Sequence, residues 1–228
     1  MKRREFTAGV ISAASAGVAG LVGTAHAAVG EADAALGVRT ALERGALAAV
    51  GLLGKTDGFL GNPKVRIPLP GFLNNVAKLL KATGQKKKVE ELEVAMNRAA
   101  EAAVPEAREL LIGAVKALSV EDALKIVRGS QTAVTDFFAG KTRVPLGGKF
   151  LPIVTRATEK VSLAERYNAV AGKAAAAGLL KGDETNVQRY VTGKALDGLF
   201  TMIGEEERKI RADPVGTGSA ILKKVFGR

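Results

Sequence analysis

The chain has 228 residues, no cysteine and one histidine, with 34 Lys and Arg against 23 Asp and Glu for a formal charge of +11. It is long enough to bury one sizeable core. The missing cysteines exclude disulfides and thiolate metal sites.

The first 27 residues read as a secretory signal. Lys2, Arg3 and Arg4 make a basic head, residues 8–22 are a charge-free run of modest hydrophobicity, and Ala25-His26-Ala27 fits a small-x-small cleavage site. The run is too short and too glycine-rich for a membrane span, which needs about 20 apolar residues. Arg3-Arg4-Glu5-Phe6 matches the R-R-x-F core of a twin-arginine signal. An ordinary export signal with a basic head is the alternative. Cleavage after Ala27 places the mature domain, residues 28–228, in the periplasm or outside the cell. It also removes His26, so the mature chain has no imidazole for metal binding or for nucleophile–histidine catalysis. Three basic residues and one acid leave with the signal, so 201 residues keep a formal charge of +9.

The mature chain is helical in pattern. Residues 36–53 form a first expected helix and 72–82 a second, stopped by Gly84. In residues 86–103, Val89, Leu92, Met96, Ala99 and Ala103 recur at helical spacing. Pro105 opens or kinks the next helix, to residue 118. Ser119 and Asp122 give a capping signal before residues 123–128. Helices follow at 132–139 and 152–160. Ser162 and Glu165 make a capping box for a helix to about residue 177. A short helix at 184–191 precedes one that Thr192 caps and that runs to residue 211, before Asp213-Pro214. Residues 218–226 close the chain.

Two hexapeptides nearly repeat: KVRIPL at 64–69 and KTRVPL at 141–146. As extended chain, each puts cations on one side and Val, Ile, Thr or Leu on the other. Each carries a proline suited to a sheet edge. The expected fold is therefore all-α: one bundle of about eight to ten helices, with the hexapeptides paired as a two-stranded β-ribbon. Similar neighbours, with Asp before and Phe-Leu after each copy, hint at an internal duplication.

The ribbon offers a candidate anion site of Lys64, Arg66, Lys141 and Arg143, since arginine suits bidentate anion contacts. A solvated face that blunts a sheet edge is the alternative. Candidate catalytic groups are carboxylates. Asn97, Arg98 and Glu101 share one helix side, so Glu101 beside Arg98 is either a tuned acid or a packing contact. Glu205 and Glu206, with Glu207, precede Arg208, Lys209 and Arg211 as a carboxylate cluster or a salt-bridged face. Tyr190, Lys194 and Asp197 also share a side, without a glycine-rich cofactor loop. No cofactor and no metal is expected.

The stretches DGFLGNPKVRIPLP, NRAAEAAVPEA, YVTGKALDGLFTMIGEEERKIRADP and LKKVFG resemble, in order, a bacterial exported family catalogued as domain of unknown function 4197. The resemblance implies a secreted all-helical domain and brings no activity, substrate or catalytic residue. Many of its members look like lipoproteins; without cysteine this chain is expected to be a soluble version. The positive charge points to an anionic partner: lipid head groups, lipopolysaccharide or a cell-wall polymer. Nucleic acid is not expected for an exported chain with few aromatics. The expected function is a non-enzymatic binding or scaffold protein. The alternatives are a carboxylate-based hydrolase or transferase, and a carrier of an apolar ligand between helices.

Overall fold

A computed structural model describes residues 30–71, 84, 86–178, 181–214 and 216. Among these residues there are seven α-helices: α1 (Glu31–Leu53), α2 (Lys86–Ala103), α3 (Ala107–Lys116), α4 (Val120–Arg128), α5 (Ala133–Thr158), α6 (Ser162–Ala176) and α7 (Val187–Ala212). Two 3-10 turns, Val104–Glu106 and Gly182–Thr185, join α2 to α3 and precede α7. The expected helices at 72–82 and 218–226, like the signal, lie outside the described residues.

The all-helical class holds, but the helix number and the ribbon need correction. The described residues contain no strand. The second hexapeptide lies inside α5, which joins the separate helices expected at 132–139 and 152–160. Its proline does not end the element, because packing decides. Val134, Phe138, Thr142, Leu146, Phe150, Val154 and Thr158 are buried at four-residue steps along α5. Burying each large apolar side chain contributes about 1.5–3 kcal/mol. Pro145 and Pro152 stand on the exposed side, so the carbonyls they leave unbonded, at Lys141 and Gly148, belong to exposed residues. Likewise 184–191 and 192–211 are not two helices: α7 runs unbroken, and its cap is Asn186, whose Oδ1 accepts from Gln188 N and Arg189 N at 2.8 and 3.1 Å. Thr192 is interior. The Ser119 cap is as expected, accepting from Asp122 N at 3.0 Å.

Helix α5 packs along α7 and α2, and α1 packs against α7, α3 and α4. Small residues allow close approach: Ala34, Ala35, Gly37, Ala41, Gly45, Ala46 and Ala49 carry much of the buried face of α1. On α7, a Cβ at Gly198 would stand 2.6 Å from the Phe59 ring. Phe59, Phe138, Phe150 and Tyr167 are the largest fully buried side chains.

The first hexapeptide begins in a turn, where Val65 N and Arg66 N donate to Asn62 O, and does not pair with the second. Its apolar residues Val65 and Ile67 face the core as alternation predicts. The ladder partner is a side chain. Asn97 Oδ1 accepts from Ile67 N and Asn97 Nδ2 donates to Ile67 O, both at 2.9 Å. A helical amide thus does what a neighbouring strand would do.

Candidate functional site

Of the seven buried polar residues among those described, three hold a distant piece of backbone. Asn97 is the first. Glu101, one turn on along α2, is the second. Its Oε1 accepts from Phe59 N and Leu60 N at 3.0 and 3.1 Å, and its Oε2 accepts from Arg98 at 2.6 Å. Arg98 also bonds Asp57 at 2.8 Å. The receiving turn is sharp. Asp57 has φ of 63°, and a Cβ at Gly58 would lie 2.4 Å from Leu53 O. That turn exposes two successive N–H groups, which the carboxylate takes as a cap takes the first donors of a helix. The hydrogen bond to Glu101, and after it that to Asp57, holds the Arg98 guanidinium still more firmly protonated.

Glu207 repeats the device. Its two oxygens accept from Val134 N and Thr135 N at 3.2 and 3.3 Å, capping α5 from α7. Arg211 bonds Glu207 Oε1 at 2.9 Å and Ile126 O at 3.1 Å, tying in the end of α4. Sequence reading set Glu207 either in a carboxylate cluster with Glu205 and Glu206 or as an ion-pair partner on a salt-bridged face, and its pair with Arg211 forms. A signal for its burial was present: it falls on the apolar stripe of Ile203 and Ile210.

The remaining candidates sit at the surface. Glu205 pairs with Lys64 at 2.9 Å and with Arg208, and Glu206 pairs with Lys209 at 2.6 Å. Lys64, then Arg208, holds the Glu205 carboxyl below its ordinary range. Arg66 pairs with Glu93 at 2.9 Å. Arg143 meets Asp197 at 2.6 Å and lies over the Phe200 ring, 5.9 Å from its centre. Lys141 has no ion pair among the described residues. The four hexapeptide cations therefore occupy separate contacts rather than one cluster. Lys194 reaches Asp197 at 3.8 Å, whereas the Tyr190 hydroxyl turns away to donate to Pro68 O at 3.1 Å. Among the described residues no group of three or more His, Cys, Asp or Glu could hold a metal ion.

Two open grooves run along the seam between α5 and α7 and share Arg143. One, about 410 Å³, lies between the start of α5, at Thr132 and Thr135, and the later half of α7, at Thr201 and Arg208. The other, about 260 Å³, lies between Val144 and Leu151 of α5 and Arg189, Thr192 and Leu196 of α7, with Asp183 alongside. The Thr192 hydroxyl is buried without a hydrogen-bond partner. A third groove, about 340 Å³, separates α3 from α5 and is lined by Leu110, Phe137 and Lys141. Arg189, Arg208 and Thr192 escaped sequence reading as a group, because only the antiparallel seam brings them beside Arg143.

No helix among the described residues is long and apolar enough to cross a membrane. Neither the curated proteins nor the solved structures compared with the chain contain a match. The family described as "Protein of unknown function (DUF4197)" matches residues 28–227, nearly the whole length after the expected signal. The chain therefore belongs to the DUF4197 family, whose function is not known.

Proposed function

We propose that this is an exported, non-enzymatic binding or scaffold protein whose partner is an anionic component of the cell envelope. The observation that carries the reading is the use made of the two buried carboxylates. Glu101 and Glu207 each hold two backbone N–H groups and an arginine. A general acid or base needs an oxygen within reach of substrate. These oxygens already serve the fold, and Glu205 and Glu206 are engaged by surface cations. What remains is the excess of basic side chains, which attracts anions.

Export is supported by the basic head, the uncharged run and the Ala25-His26-Ala27 site, and by a family match that begins directly after Ala27. The carrier alternative has less support. The tight apolar space beside Ile203 and Ile210 has room for about one water, at about 10 Å³, and the larger grooves are open.

Co-sedimentation tests the proposal. The mature chain is mixed with phosphatidylglycerol vesicles, lipopolysaccharide and an acidic polysaccharide, each beside a neutral counterpart. Binding to at least one anionic member, weakening about tenfold or more between roughly 50 and 500 mM salt, is expected. Equal binding to neutral and anionic members, or none at low salt, overturns it.

A further inference from the structure

The two grooves on the α5–α7 seam adjoin at Arg143, whose bond to Asp197 crosses the seam, and the pair of them is here called the trough. Its arginines are evenly placed. Arg143 sits beside Asp197 and Phe200. Arg189 lies eight residues before Asp197 and Arg208 eight residues after Phe200, about 12 Å of helix on each side. We propose that this trough binds an extended acidic polysaccharide, its carboxylate or phosphate groups held by Arg189, Arg143 and Arg208 and its hydroxyls by the threonines and aspartates between them. The proposal rests on the anionic-partner reading and names its site and ligand class.

The chemistry of the lining separates this ligand from other anions. Guanidinium groups offer paired donors to carboxylate or phosphate. Arg189 has no ion pair among the described residues, and Arg143 and Arg208, each close to half exposed, keep further donors beyond their bonds to Asp197 and Glu205. Asp183 and Asp197 also line the trough. They would repel a densely charged chain such as polyphosphate, but they accept hydrogen bonds from hydroxyls. Thr201 both donates and accepts, while Thr132 and Thr135, which donate to Asp136 and Glu207, keep acceptor lone pairs. A chain rich in hydroxyls with an anionic group every few units satisfies both sets.

Other polymers fit less well. A nucleic acid needs exposed rings to stack its bases, and Phe200 is buried under Arg143. An acidic peptide docks on an arginine cluster, by adding a strand to a sheet edge, or by laying an apolar helix face in an apolar groove, and Asp183 and Asp197 in the lining count against the first. The described residues have no sheet, and the trough is studded with charges and hydroxyls.

The test is calorimetric titration of the mature chain with oligogalacturonate, neutral dextran and polyglutamate. Two triple variants, Arg143→Ala/Arg189→Ala/Arg208→Ala and Lys149→Ala/Arg156→Ala/Lys160→Ala, remove equal charge from the trough and from outside it. Circular dichroism checks that each stays folded. Oligogalacturonate binding is expected to weaken about tenfold or more in the trough variant and less than about twofold in the other, with dextran and polyglutamate weak throughout. Equal weakening by both variants overturns the trough while leaving the anionic-partner reading intact. Polyglutamate binding as tightly as oligogalacturonate overturns the ligand class. Failure of the wild type to bind any anion, here or on vesicles, sinks the parent reading with it.

Discussion

Glu101 joins two N–H groups of a strained turn to an arginine, so removing it strands three donors at once. Glu101→Ala is expected to cost about 3 kcal/mol and Glu101→Gln, which still accepts from the backbone, about 1–2 kcal/mol. Glu207→Ala should cost a similar amount, since it uncaps α5 and releases Arg211 from α4. Equilibrium urea unfolding measures both. Losses under about 0.5 kcal/mol would mean these carboxylates are not structural. Two tyrosines set a pH limit. Burial first, and then the charge of Glu184, raises the hydroxyls of Tyr167 and Tyr190 from 10.0 to about 12. The fold favours the neutral phenols, so their contribution is whole below pH 10 and is lost as pH rises through about 12. Each loss is on the order of 1–2 kcal/mol. Tyr190→Phe should flatten half of this alkaline decline, and an unchanged slope would contradict the assignment. At the acid end Glu205 runs the other way. Its lowered value adds stability above the ordinary carboxylate range, and this is lost as pH falls through the folded value.

Among the elements, α5 carries the largest departure from local sequence preference. A proline inside a helix costs about 3 kcal/mol relative to alanine. Two are present because seven buried positions at four-residue steps hold the helix on α7 and α2. Pro145→Ala should therefore stabilise the protein by about 1–3 kcal/mol by restoring a donor to the Lys141 carbonyl. A calorimetric scan with lower Tm would show that the proline has a packing role. Conversely Gly198→Ala should destabilise by about 1–3 kcal/mol, since the new methyl meets the Phe59 ring. The bounds of α2 and the Ser119 cap were legible because periodicity and side-chain capping are local signals. The ribbon was misread because alternation in KTRVPL is equally compatible with a helix whose apolar positions are four apart. In KVRIPL the buried Val65 and Ile67 match the expected alternation, but the stretch starts as a turn rather than a strand, and its partner, Asn97, was out of reach. Glu101 and Arg98 were found as neighbours at helical spacing. The two N–H groups that explain them lie more than 40 residues away, beyond any local pattern.

At the scale of the molecule, charge and grooves act together. The helices bury Glu101 and Glu207 and leave most basic groups exposed, with the trough between the two longest helices, α5 and α7. Screening should then govern any association, so affinity for an anionic partner falls with ionic strength as the Debye length shrinks below about 10 Å. The most direct measurement is native mass spectrometry of the protein purified gently from its own cells. The account predicts a reproducible added mass of an anionic molecule on the wild type, absent from Arg143→Ala/Arg189→Ala/Arg208→Ala. A clean mass on the wild type, or an adduct that the trough variant retains, would contradict it.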